Sequence, residues 1–191
     1  MRAVPASRYI VFFCLAVFGC AIDLPTKGWM FRRLGFPTTQ EWWIWPDVFG
    51  FQTSTNRGAL FGMFGGMQPL IVAVSLVALL GILYWLFWAG AARDLLLCVA
   101  LGCVTAGILG NLYDRLGLPA TVWDGTCGPQ DPGIPPYEVR DWIKLKIDNI
   151  IDWPNFNVAD SLLVCGAALL VWHAFWGRPE EQAQKAAEKS S

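Results

Sequence analysis

The sequence predicts an all-α membrane protein with four transmembrane helices and small β and loop elements on the outer face of the bilayer. Three observations lead there. Hydrophobic residues make up 55% of the 191 positions and mean hydropathy is +0.43, too apolar for an ordinary soluble domain of this length. Eleven Trp and twelve Phe suit a chain with two bilayer interfaces to occupy. Four apolar runs recur, each near the roughly 20 residues that a helix needs to cross the hydrocarbon core.

The first run begins after Arg8, is uncharged over Tyr9–Ile22, and continues to about Phe31 past Asp23 and Lys27. The second, Pro69–Trp88, and the third, Leu95–Tyr113, are uncharged. The fourth spans about Val158–Trp176, with Asp160 near its beginning. In lipid a backbone must satisfy its own hydrogen bonds, so these runs are helices. Together they define one membrane domain over residues 1–176. A polar tail over 177–191, rich in Glu, Lys, Gln and Ala, carries no chemistry.

Both termini are expected on the cytoplasmic side. The short inner segments then hold Arg2, Arg8, Arg93, Arg178, Lys185 and Lys189, six of the fourteen basic residues. The remaining basic residues, Arg32 and Arg33 among them, fall on long outer segments, which translocate largely regardless of charge. Those outer segments cover about 32–68 and 114–157. The first carries Trp42, Trp43, Trp45, Phe49 and Phe51, which would either form a clamp over a site or anchor the chain at the interface. In the second, the Gly- and Pro-rich stretch Gly125–Pro136 reads as a loop. Trp142-Ile-Lys-Leu-Lys-Ile147 then alternates apolar and basic residues, as a short surface strand does.

Several functions are excluded early. A net charge of −1 without a basic stripe argues against nucleic acid. Of the six cysteines, only Cys127 lies outside an apolar run, so a disulfide framework is not expected. His173 is a single histidine in an apolar stretch, and a metal site needs several donors. No metal or other cofactor is implied. Arg2, Arg8 and Val17-Phe-Gly-Cys20 imitate a lipoprotein signal peptide, but Phe18 is bulky for that role and the apolar run continues past Cys20.

Ionisable groups in or beside membrane spans are costly and point to function. They gather at the outer helix ends: Asp23 and Lys27, four apart on one face and able to pair; Asn56 and Arg57; Asn111, Asp114 and Arg115; Asn157 and Asp160. Helix caps and interfacial side chains would explain any one of these, but not the whole set at one membrane level.

Asp23-Leu-Pro-Thr-Lys27, Asn56-Arg-Gly-Ala-Leu-Phe-Gly62, Gly110-Asn-Leu-Tyr-Asp-Arg115 and Phe156-Asn-Val-Ala-Asp160 resemble, in order, the four signature blocks of lipoprotein signal peptidase, over about residues 9–176. The resemblance implies an aspartic endopeptidase that removes signal peptides from diacylglyceryl-modified prolipoproteins. Cleavage falls on the amino side of the lipidated cysteine. The setting is the bacterial inner membrane, with membrane lipid and the lipid-modified prolipoprotein as partners and the active site near the outer face.

It also implies two catalytic aspartates. One is Asp160. For the other, Asp124 in Thr-Val-Trp-Asp lies at about the family's usual distance from Arg115, whereas Asp141 in Val139-Arg-Asp-Trp-Ile143 has the better local context. Asp141 is chosen, with an insertion over roughly 117–138. Asp114 is expected to be structural, held ionised by the adjacent Arg115. The resemblance places Asn56, Gly58, Asn111, Arg115, Asn157 and Ala159 around the site, with Asp23 and Lys27 in support or in a purely structural pair. Two rivals stand beside this reading: a Ser/Lys peptidase using Ser54 and Lys27, and a small transporter or scaffold with a structural polar cluster.

Overall fold

The computed structural model describes residues 3–35, 39–58, 66–119, 137–147 and 150–176. The candidate Asp124, Cys127, most of the expected insertion and the 177–191 tail lie outside them. Four helices are long and apolar enough to cross a membrane.

Helix α1 spans Ala6–Leu34, 29 residues including Pro25. At 1.5 Å per residue it is about 43 Å long, longer than the roughly 30 Å hydrocarbon core. Its C-terminal part carries Trp29, Arg32 and Arg33, residue types that suit a bilayer interface. Pro25 has no N–H to donate. One residue on, the Thr26 hydroxyl bonds back to its own helix, 2.7 Å from the Ile22 carbonyl oxygen and 2.9 Å from that of Asp23, so this polar side chain is satisfied within α1.

Helix α2, Gln68–Leu83, runs straight into a π-helical turn at Tyr84–Trp88, closed by the Ala89 N–H on the Tyr84 carbonyl at 2.9 Å. Gly90 reverses the chain at φ 83°, a left-handed value open to glycine. A short 3-10 turn, Ala91–Arg93, follows. Asp94 then caps helix α3, Leu95–Arg115, by accepting the Leu97 N–H at 3.0 Å. Helix α4 is Val158–Trp176. The expected spans hold, with α1 longer at both ends, from Ala6 to Leu34, and α3 running on to Arg115.

Helix α3 is the central one: 61% of its apolar window is buried, against 6% for α2 and 11% for α4. Small residues allow this. A Cβ on Gly107 would stand 2.5 Å from the Ala159 carbonyl oxygen, and one on Gly19 would stand 2.6 Å from the Ala106 Cβ. In lipid, where apolar surface gains nothing by leaving the solvent, such close backbone approach is what holds helices together. At the end of the bundle where α1 begins, Phe12, Leu86, Leu97 and Leu101 form one core, over which Tyr9 and Phe87 stack at 4.3 Å.

At the end of the bundle where α1 finishes lies a four-stranded antiparallel meander in the order β1-β2-β3-β4. Its strands are β1 Trp42–Trp45, β2 Phe49–Asn56, β3 Val139–Ile147 and β4 Ile151–Phe156. The sequence predicts only the strand over 142–147, within β3. The other three lack a clean period: β1 is a run of aromatics, β2 turns from aromatic to polar midway, and β4 contains Pro154, tolerated because β4 is an edge. Met30, Phe31 and Trp142 form a second core under the sheet, with Phe51 packed on Trp142 at 5.3 Å between ring centroids. The aromatic segment thus divides. Phe51 packs inward beside β3, while Ile44 and Trp45 stand exposed.

Candidate active site

Three helix ends and strand β3 meet at one end of the bundle. Antiparallel pairing sets Ser54 opposite Asp141, Thr55 opposite Arg140 and Asn56 opposite Val139. The first four residues of β3 are all buried, with Arg140 held against Asp114 and Asp141 against Asn157.

Asn157 and Asp160 begin α4 as a reciprocal cap. The Asp160 N–H donates to Asn157 Oδ1 at 2.9 Å, and the Asn157 N–H donates to Asp160 Oδ2 at 3.1 Å. This is a capping box with aspartate in the place of glutamate. The Asn157 amide also donates to Asp141 Oδ1 at 2.6 Å and to Asn111 Oδ1 at 3.2 Å. The Asn111 amide donates in turn to Asp160 Oδ1 at 2.8 Å. Two amides on two helices therefore tie Asp141 to Asp160. Capping and site geometry are not alternatives here: the cap fixes the Asp160 carboxylate.

Below this lies a chain of buried charges. Lys27 Nζ meets Asp23 Oδ2 at 2.8 Å and Asp114 Oδ2 at 3.2 Å, and donates to Asn111 Oδ1 at 3.0 Å. Asp23 Oδ1 accepts the Ala159 N–H at 2.9 Å, so this carboxylate faces the positive end of the α4 dipole. Gly110 leaves room for it, since a Cβ there would lie 2.5 Å from Asp23 Oδ2. Lys27 and Asp23 are both fully buried. A charge that deep persists only when paired and hydrogen-bonded.

The partner expected for Asp114 is corrected. Arg115 points elsewhere and donates to the Gly58 carbonyl at 2.7 Å, because successive helix residues diverge by about 100°. Asp114 instead takes Arg140: Nε and Nη2 donate to Oδ1 at 3.0 and 2.7 Å, and the Arg140 backbone N–H donates to Oδ2 at 3.1 Å. Arg140 is absent from the sequence-derived site, as is Glu138, which pairs with Arg57 at 2.8 Å. The residues between Tyr137 and Trp142 show no alternation that would have marked them. Asn56 Oδ1 accepts the Gly58 N–H at 2.9 Å and shapes the turn after β2.

Burial pushes the Asp141 carboxyl well above the ordinary carboxylate range, and the negative charge of Asp160 pushes the same way. The Asn157 amide and Lys27 oppose them. A buried carboxyl that resists ionisation beside a second carboxylate is the arrangement that acid–base chemistry needs.

A family model described as Signal peptidase (SPase) II matches residues 15–176. The chain is 46% identical over 177 residues to a lipoprotein signal peptidase of Rhodopirellula baltica, covering 91% of this chain and 75% of that one. It is 30% identical to a lipoprotein signal peptidase of Clostridium novyi, covering 82% of this chain and 91% of the relative. Among solved structures it is similar to one described as a bacterial membrane enzyme determined by the in meso method at 2.3 Å. The TM-score is 0.70 at 25% identity, over 88% of this chain and 92% of that one. A matched region spanning all four helices and the sheet, together with relatives that cover most of its length, places this chain in the signal peptidase II family.

Proposed function

We propose that this chain is an aspartic endopeptidase of the bacterial inner membrane. Its substrate is a diacylglyceryl-modified prolipoprotein, from which it removes the signal peptide by cleaving on the amino side of the lipidated cysteine. The observation that carries this reading is the amide-linked pair of carboxylates, Asp141 on β3 and Asp160 on α4, at the outer ends of the helices.

Two carboxylates in a low-dielectric setting do not both ionise readily, so they share a proton. The ionised member takes a proton from a water molecule, which attacks the scissile carbonyl. The protonated member supports the developing oxyanion and then returns a proton to the leaving amine. The resulting pKa values belong to the pair. Asn111 and Asn157 hold the carboxylates in register, while Asp23, Lys27, Arg115, Asn56, Gly58 and Ala159 fix the helix ends around them. With both termini cytoplasmic, the signal helix can lie against the apolar helix faces while its diacylglyceryl chains stay in lipid. The Ser/Lys rival loses its base, because Lys27 is committed to Asp23, Asp114 and Asn111.

The test is incubation of purified full-length protein with a diacylglyceryl-modified precursor and with the same precursor unmodified. Mass spectrometry should find cleavage of the modified form only, with the lipidated cysteine as the new N-terminus. Cleavage of neither precursor would remove the enzymatic reading.

A further inference from the structure

The Arg140 guanidinium reaches the buried charge chain from the sheet. Its backbone N–H and two of its side-chain nitrogens all end on Asp114, so the residue preceding Asp141 is pinned to α3 at three points. The Arg140 side chain is 5% exposed, and its guanidinium lies over the Phe31 ring at 5.9 Å. The Arg140 carbonyl also receives the Asn157 amide at 3.4 Å, the amide that holds Asp141.

The charges close around this contact. From α1 come Asp23 and Lys27. From α3 come Asp114 and Arg115, the latter in the electrostatic range of Asp114, Asp141 and Asp160. Glu138 on the approach to β3 is answered by Arg57 after β2. With Arg140 present, Asp23 and Asp114 are balanced by Lys27 and Arg140. Arg115 then balances an Asp141/Asp160 pair that holds one proton. Remove Arg140 and the cluster is balanced only when that pair holds two.

We infer that Arg140 is a positioning residue for the proposed dyad: its fork on Asp114 sets where Asp141 stands, and its charge keeps the pair in the singly protonated state that catalysis requires. The inference rests on the aspartic reading above, and it predicts a result that loss of packing alone would not give. An uncompensated negative charge makes both protons of the pair harder to remove.

The experiment compares wild type, Arg140→Gln, Arg140→Lys and Asp141→Asn as purified full-length proteins on the diacylglyceryl-modified precursor, with kcat and KM measured across pH. Arg140→Gln should lose tenfold or more in kcat, on the order expected when one acid–base partner is mispositioned, while KM changes by less than about twofold. Its pH–rate profile should move alkaline by on the order of one unit. Arg140→Lys should return the profile to its wild-type position, because the charge is restored. Its kcat should stay reduced, because an ammonium cannot reproduce the fork. An Arg140→Gln enzyme with wild-type kcat and an unmoved profile would overturn the inference. If that variant does not fold, Arg140→Lys decides alone, and wild-type kcat in it would overturn the positioning role. An active Asp141→Asn would instead sink the aspartic reading itself, a separate outcome.

Discussion

Asp141 is buried where a carboxylate is poorly accommodated, and that has a consequence for stability as well as for chemistry. Its folded-state pKa is raised, so the folded protein binds this proton more tightly than the unfolded chain does. The associated stability is complete below about pH 4, the ordinary value for an aspartate, and is lost as pH rises through the raised folded value. Asp141→Asn escapes that loss. Thermal unfolding should therefore give a higher Tm for Asp141→Asn than for wild type at neutral pH, with the difference vanishing toward pH 4. A lower Tm at neutral pH would mean that the carboxylate is better solvated than its surroundings imply. At this scale most of the buried polar cluster was legible. Asp23, Lys27, Asn111, Asn157 and Asp160 lie in blocks whose residue types are costly in a membrane and so stand out. Arg140 did not stand out, because a basic residue on an outer segment reads as solvated until its partner is known. The partner of Asp114 was not legible, since sequence adjacency to Arg115 says nothing about where the two side chains point.

The helices were readable because lipid imposes both a length and an unbroken apolar run, and Val158–Trp176 matches α4 to the residue. The sheet was not, since β2 and β4 form by pairing with β3, and β1 by pairing with β2, and none of the three by its own pattern. The glycines of α3 make the packing testable. Gly110→Ala would push a methyl group against Asp23 Oδ2 and the Ala159 Cβ, opening the α1–α3–α4 contact. Loss of folded protein in detergent is expected, whereas Gly81→Ala on α2, with open space around it, should be tolerated. Equal tolerance of both would argue that α3 is not packed so closely. At the opposite end of the bundle from the sheet, Asp94 both caps α3 and meets His173 Nε2 of α4 at 2.6 Å. Burial works against its charge, but the Leu97 N–H and the His173 ring outweigh that and hold its carboxyl below the ordinary value. What it contributes is thus present above about pH 4 and lost as pH falls through the lowered value. Asp94→Ala should cost about 1 kcal/mol, the usual worth of an N-cap, and Asp94→Asn distinctly less. Chemical denaturation of the two variants side by side would measure this.

For the whole molecule, orientation and chemistry are linked, because a site for lipid-modified precursors is useful only where those precursors emerge. Cys14, Cys20, Cys98, Cys103 and Cys165 lie in the helices as free thiols. A membrane-impermeant maleimide applied from the outer face should therefore label Cys127 alone, and labelling only from the cytoplasmic face would invert the topology. The transporter or scaffold rival shares the same helices and the same buried charges. It gives no reason for two carboxylates to be tied together through Asn111 and Asn157. The most direct test of the central claim is the turnover of lipidated precursor by Asp141→Asn, Asp160→Asn, their double mutant and Asp124→Asn, each with binding measured separately. If Asp141 and Asp160 act as one unit, either single change should abolish turnover with binding largely kept. The double mutant should then be scarcely worse, and Asp124→Asn should remain active. A folded but inactive Asp124→Asn beside an active Asp141→Asn would contradict the assignment of the dyad.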